Sequence, residues 1–452
     1  MNNPAALKPG DTVLLRGGTY SLDWSAEPDH VYWELAGTAA APTTIRNYPG
    51  ERVIIDIDYI LQLYGSHVRY VGLEFITSRT KKVFDSGWSH DRPGSLDISG
   101  NNVKVINCIF HDLSSTTAFA QAENYEMYGN IMYYIGFIGT ERSWGTTAYV
   151  QNISGRKDIT DNLMFQQFAN NLQIYGSDAA RIKDIYMEGN TIFNAGTLGN
   201  GGGFNAVIWV GSEAVERIKF SNNYLYSPSA DSSNAVFWGS GGVVNKDLTV
   251  TGNYIIGGSP VVRFGVWNPA TVTNNTIVGS DGLSWYEGGI PQNRQYNWGN
   301  NKYHSQGSSV PFLLSPNGYD FNGWKQATGL DANSTYSASR PTGVKVFLRP
   351  NKYEAGRAHI TVINWDLNDT ASLDLSGTGL TVGQAFEIRD AQNYFGTPLV
   401  TGVYAGNPVT VALPGTGSAV TPIIGAGDPQ NVGLVLPVHT SEEFNAFVLL
   451  PR

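Results

Sequence analysis

The sequence predicts an all-β chain in two parts: a parallel β-solenoid with three short strands per coil, then a small antiparallel β-sandwich. Three observations predict it. An Asn-centred unit recurs along the first two thirds of the chain, the composition is turn-rich and weakly charged, and after about residue 335 the hydrophobic period becomes two.

The 452 residues include 52 Gly, 12% aromatic and only 15% charged side chains, which resembles neither a disordered acidic chain nor a helical bundle. With 29 basic against 38 acidic side chains the formal charge is −9, which argues against nucleic acid as a partner. The single Cys108 excludes an intramolecular disulfide and any cysteine-built zinc or iron–sulfur site. No stretch approaches the roughly 18 apolar residues of a membrane span. PGDTVLLRGGTY (9–20) already reads as strand and turn, so an upstream segment such as a signal peptide is expected.

The recurring unit is an Asn flanked by alternating apolar residues: VKVINCIF (Asn107), YEMYGNIMY (Asn130), KDITDNLMF (Asn162), IYMEGNTIF (Asn190), IKFSNNYLY (Asn223), LTVTGNYII (Asn253), ATVTNNTIV (Asn275) and YNWGNNKYH (Asn301). An earlier copy, VRYVGLEF, places Gly72 at the Asn position. Successive spacings of 35, 23, 32, 28, 33, 30, 22 and 26 residues suit coils whose strands are fixed and whose turns take insertions. Stacked at about 4.8 Å, the Asn side chains of successive coils can hydrogen-bond in a ladder.

One strand per coil varies in sequence: SLDISG (95–100), TTAFAQA (116–122), AYVQNIS (148–154), NNLQIYGS (170–177), NAVIWVGS (205–212), NAVFWGS (234–240), VVRFGVW (261–267) and GLSWYEG (282–288). Alternation assigns Ile98, Val150, Leu172, Ile174, Ile208 and Phe264 to the bore. The outward row then reads Asp97, Gln121, Tyr149, Gln151, Gln173, Tyr175, Trp209, Trp238, Arg263 and Tyr286. Rings beside amides on an open sheet suit sugar binding, because apolar faces of a pyranose stack on the rings and hydroxyls bond to the amides.

The segments LKPGDTVLLRGGTY (7–20), PTTIRNYPGERVIID (42–56), the Asn coils and GWKQATGLDANS (323–334) resemble the right-handed parallel β-helix proteins of the pectin-lyase-like superfamily, over roughly residues 8–335. That superfamily includes polysaccharide lyases and glycoside hydrolases. The resemblance implies a right-handed parallel β-helix of about nine to eleven coils in residues 1–335 and a secreted or periplasmic protein. Complete polygalacturonase, pectate lyase and alginate lyase signatures are missing. In ERSWGTTAYVQN (141–152), similar segments of secreted β-helix proteins carry His where Trp144 and Thr146 stand.

Catalytic candidates follow from position. Glycoside hydrolysis uses two carboxylates, about 5 Å apart for retention or roughly 6.5–9.5 Å apart for inversion. Asp97 is the acid of the outward row, and Glu141, Glu123 and Asp85 are possible loop partners. A lyase instead needs a base and a cation that neutralises a uronate carboxylate. Arg79, Lys81, Lys82, His90 and Arg92 cluster in one insertion, Arg142, Lys157 and Tyr149 lie near in the pattern, and His111 is a further candidate base.

Period-two segments such as VKVFLRPNKYEAGRAHITVINWDL (344–367) and FNAFVLLP (444–451) form the accessory β-sandwich of residues 336–452. The expected function is cleavage of a polysaccharide or oligosaccharide by a monomer, with hydrolysis ahead of β-elimination and non-catalytic, adhesin-like binding as the alternative of another class. No cofactor is required and no metal site is assigned, although surface Asp and Asn could bind Ca²⁺.

Overall fold

The computed structural model describes residues 7–21, 30–85, 94–118, 122–176, 182–210, 213–229 and 232–452. Three long sheets carry the first part of the chain. The first has eleven strands from Thr12–Leu15 to Tyr296–Gly299, the second twelve from Gly18–Ser21 to Thr335–Ser337, and the third twelve from Val31–Ala36 to Asn317–Tyr319. Each strand pairs in parallel with its counterparts in adjacent coils, except the antiparallel pair that ends the third sheet. The chain is a right-handed parallel β-helix, with eleven coils counted on the first sheet among the described residues.

The alternation that predicts the bore holds: Ile98, Val150, Leu172, Ile174, Ile208 and Phe264 are all buried in one continuous core. The Asn ladder is present at the corner between the first and second sheets. The Asn162 amide donates to Asn190 Oδ1 at 2.9 Å, Asn190 to Asn223 at 3.0 Å, and Asn223 to Asn253 at 3.1 Å, while each backbone N–H also donates to the next Oδ1. Every rung thereby satisfies groups that would be costly to bury unpaired.

The first two copies sit one residue away from their expected register. Cys108, not Asn107, occupies the ladder position, donating its backbone N–H to Asn130 Oδ1 at 2.9 Å. Asn107 and Gly72 take the left-handed turn position before it (φ 53° and 66°), where Gly129 and Gly189 stand in later coils. Asn tolerates that conformation, which is why both kinds of Asn look alike in sequence. A second, shorter ladder, Asn171 to Asn205 to Asn234 at 2.9 Å each, follows the second sheet.

The far end is closed by a helix, Phe321–Thr328. Asp320 Oδ1 caps it by accepting from the Gly323 N–H at 2.7 Å, and Gly329 ends it at φ 67°. Trp324 is buried against Phe312 and donates to Asp331, whose other oxygen accepts from Asn301 and ends the ladder.

Residues 344–451 form a five-stranded antiparallel sheet with a two-stranded partner, Thr370–Leu373 with Val409–Ala412. One face encloses its own core around Ile360, Phe386 and Phe447. The other lies on the outward face of the second helical sheet: Ile363, Trp365, Phe444 and Val448 pack against Phe165, Phe193, Tyr226 and Tyr254. Polar ties flank this contact, including Arg349 to Asp161 at 2.6 Å and Asn351 to Asn107 at 2.7 Å. Among the described residues, no helix is long and apolar enough to cross a membrane.

Candidate functional site

The third sheet stays open. Its outward face carries a cleft of about 760 Å³. In-register pairing makes the floor: Asp97 lies beside Thr117, Thr117 beside Tyr149, and Tyr149 beside Gln173, with Tyr175 and Trp209 paired in the next row. Two insertions make a wall. One is the hairpin pairing Phe137–Ile138 with Ser143–Trp144, which brings Arg142 and Trp144 to the cleft; the other brings Gly201, Gly202 and Phe204. They are tied together, because Ser143 Oγ donates to Asn200 Oδ1 at 2.8 Å and accepts from the Asn200 N–H at 2.9 Å. Gly199 is required at this junction, since a Cβ there would stand 2.2 Å from the Phe168 carbonyl and 2.3 Å from Ser143 Oγ.

Hydrogen bonds fix the polar lining. Gln173 Oε1 accepts from Asn170 Nδ2 at 2.8 Å and from Thr146 Oγ1 at 3.3 Å, which sets the amide with its NH₂ as the donor to offer a ligand. Asn170 Oδ1 accepts in turn from the Phe204 N–H at 2.9 Å, so the wall orients the floor. Gln151 Nε2 donates to the Tyr149 hydroxyl at 3.3 Å. Burial outweighs that bond and, with nearby Tyr175, pushes the Tyr149 phenol up to about 12, so it stays a neutral proton donor at ordinary pH. The Arg142 guanidinium lies 3.8 Å above the Trp144 ring.

The aromatic row is exposed where it borders the cleft: Tyr175 is 38% and Trp209 50% accessible. Beyond it the rings form a column. Trp209 stacks on Trp238 at 5.8 Å and 11°, and Arg263 sits between Trp238 and Trp285 at 4.0 and 4.6 Å while pairing with Glu287. Trp285, not Tyr286, is the outward residue of its coil; Tyr286 is buried in the bore opposite Phe264. The two adjacent aromatics there make alternation alone ambiguous.

Several expected site residues lie elsewhere. His111 is on the second sheet, 6% exposed, with both ring nitrogens on carboxylates, Asp112 at 2.8 Å and Glu74 at 2.9 Å. Phe395 of the C-terminal domain lies 6.3 Å from its ring, so a structural ion network replaces the expected base. Lys82 is fully buried and donates to the Asp112 carbonyl at 2.7 Å. Lys157 points into the bore, where burial lowers its pKa to about 7. Arg79 pairs with Asp58 and lies over Tyr59, away from the cleft lining. Glu123 accepts from Ser154 Oγ, and its N–H donates to Asn101 Oδ1, also outside the lining. Glu141 is exposed beside Arg142 on the hairpin but does not line the cleft, and Asp85 and Gln151 do not line it either. Trp238 and Arg263 belong to the column beyond it. His90, Arg92 and Gln121 lie outside the described residues.

The cleft also holds Ser95, Ser115, Thr117, Asn170 and Phe204, which the sequence reading did not select. Phe204 and the hairpin sit in insertions without periodicity. Ser95, Ser115 and Thr117 were hidden because a small hydroxyl marks a cleft floor only once its coil neighbours are known. Asp97 is the single carboxylate among the described lining residues, and no group of three His, Cys, Asp or Glu side chains gathers as a metal centre among the described residues.

No family model and no curated sequence matches the chain. Solved structures do. The pectate lyase Pel9A is 14% identical over 74% of each chain with a TM-score of 0.41. A mannuronic acid specific family 6 polysaccharide lyase from human gut microbiota is 13% identical over 68% of this chain and 78% of its own, with a TM-score of 0.39. The Dettilon tailspike protein is 10% identical over 97% and 87%, with a TM-score of 0.41. At these identities the similarity is one of fold.

Proposed function

We propose that the protein binds a segment of a polysaccharide in the third-sheet cleft and cleaves it there. One observation carries the reading: Tyr175 and Trp209 stand exposed beside the oriented amides of Gln173 and Asn170, while the comparable rings of the second sheet are covered. Stacking of sugar C–H faces on rings, with hydroxyls on amides, is what such a surface offers. A polysaccharide substrate accords with a secreted or periplasmic protein.

The lining favours β-elimination over two-carboxylate hydrolysis, because Asp97 has no second acid with it among the described lining residues. In this reading Arg142 neutralises a uronate carboxylate, Asp97 accepts the proton next to it, and the neutral Tyr149 phenol donates to the departing oxygen. One carboxylate also makes the lining a poor fit to Ca²⁺, which takes six to eight oxygens and prefers several anionic ones.

The test is a screen against neutral and uronic-acid polysaccharides, with and without EDTA, recording reducing ends and absorbance near 235 nm together. Elimination yields reducing ends with an unsaturated, absorbing product. Reducing ends without absorbance would transfer the reading to hydrolysis, and retention in affinity gels without product would leave a glycan-binding protein.

A further inference from the structure

We infer that Asn431 of the C-terminal domain is a positioning residue for the cleft wall that carries Arg142 and Trp144; the inference rests on the reading of that cleft as a glycan site. The wall is not part of the coils. It is a miniature sheet at their margin, in which Val83 bridges Ile138 in parallel and Phe137–Ile138 pairs antiparallel with Ser143–Trp144. The Phe84 N–H donates to the Ile138 carbonyl at 2.9 Å, and the Ile138 N–H to the Lys82 carbonyl at 2.8 Å. Strands of two residues supply few bonds of their own, and a small hairpin is marginal without support at its edge.

Asn431 supplies that support across almost 350 residues of sequence. It is 8% exposed and its amide is fully used: Oδ1 accepts from the N–H groups of Lys82 at 2.7 Å and Val83 at 3.1 Å, while Nδ2 donates to the carbonyls of Thr80 at 2.8 Å and Gly425 at 2.9 Å. The contact is close enough to require glycine, since a Cβ on Gly425 (φ 89°) would meet the Thr80 carbonyl at 1.9 Å. A second tie runs in parallel: the Ile424 N–H donates to Asp112 Oδ1 at 2.9 Å, and the Lys82 amine donates to the Asp112 carbonyl behind the wall. The path is therefore continuous, from Asn431 to the 80–84 segment, to Ile138, to Ser143 and Trp144. Without Asn431 the buried Lys82 N–H and the part-buried Val83 N–H lose their acceptor, the outer edge of the wall loosens, and Arg142 and Trp144 shift relative to Gln173 and Trp209.

The test uses the full chain with Asn431→Ala, and with Asn431→Asp, which keeps the acceptor and serves if the alanine variant does not fold. Amide exchange should quicken in peptides covering 131–145 and stay unchanged in 163–176. Unchanged exchange in 131–145, or equal loosening of the whole second sheet, would overturn the inference. Retention in affinity gels cast with alginate, polygalacturonate or a neutral glucan should weaken about tenfold in Asn431→Ala and less in Asn431→Asp. In an Arg142→Ala, Trp144→Ala background the same change should add nothing, because it acts through those two side chains; full additivity would overturn it. If none of the gels retains the wild-type protein, the glycan reading fails, and exchange in 131–145 still decides the role of Asn431.

Discussion

Tyr224, Tyr226 and Tyr254 on the second sheet are 6–8% exposed, whereas Tyr175 and Trp209 on the third are 38% and 50% exposed. Both sets sit on outward positions of neighbouring coils and are preceded by the same alternation. The difference is cover. A strand more than 200 residues later, Phe444–Pro451, places Phe444 parallel to Tyr226 at 4.7 Å and against Phe193 at 5.1 Å, and Trp365 donates its indole N–H to the Tyr254 hydroxyl at 2.8 Å. Rings on one face of this helix are interdomain core, and rings on the adjacent face remain available to a ligand.

The sharpest test of that contrast pairs two truncations. Phe444→Ala should cost about 3–5 kcal/mol of unfolding free energy, as expected for a buried aromatic, whereas Trp209→Ala should stay within about 1 kcal/mol because its ring is half exposed. Denaturant titration of both variants checks this; equal costs would remove the distinction. Next in size is the ladder that holds both faces in register. Asn190→Ala removes the acceptor of the Asn162 N–H and amide and the donor to the Ile159 carbonyl, and should cost about 3 kcal/mol in the same titration.

A smaller effect separates the two faces by pH. His111, under the C-terminal domain, is disfavoured as a cation by burial, but the hydrogen bonds and charges of Asp112 and Glu74 outweigh this and raise its pKa above 6.5. Arg52, which pairs with Glu74, Lys82 beside Asp112, and the neutral Tyr133 ring stacked on His111 at 4.8 Å complete its surroundings. A raised folded pKa means that the contribution is fully present below about pH 6.5 and is lost as pH rises through the folded value. Glu74, lowered in the fold, loses its own contribution as pH falls below the carboxylate range. His111→Gln should therefore be most destabilising, by about 1–2 kcal/mol, near pH 5–6, with the gap closing toward alkaline pH. A gap independent of pH would contradict the charged His111 network.

The coil pattern was legible because stacking forces residues of successive coils to repeat, so the bore residues and most of the Asn ladder could be read directly. Register failed at two kinds of place. Asn107 and Asn130 occupy different turn positions that both accept Asn, and Trp285 and Tyr286 are adjacent rings of which only one can face out. Asp97, Tyr149, Gln173, Tyr175 and Trp209 were legible as an outward row. Of the wall, Arg142 was legible as a candidate but its setting was not: the hairpin with Trp144 and the loop with Phe204 are insertions, and Asn431 acts on the hairpin from the C-terminal domain. The burial of His111 and Lys82 was hidden for the same reason, since Ile424 and Asn431, which bond to Asp112 and to the Lys82 N–H, lie more than 300 residues downstream.

The most direct test of the central claim is affinity electrophoresis of the wild type, Trp209→Ala, Arg142→Ala and the off-site control Tyr48→Ala in gels containing uronic-acid or neutral polysaccharides. Tyr48 is 44% exposed but lies outside the cleft lining, so loss of its ring reports surface stickiness alone. Retention of the wild type and Tyr48→Ala by one glycan, with about tenfold weaker retention of Trp209→Ala and Arg142→Ala, is the expected result. Equal retention of all four proteins would contradict the third-sheet cleft as the glycan site.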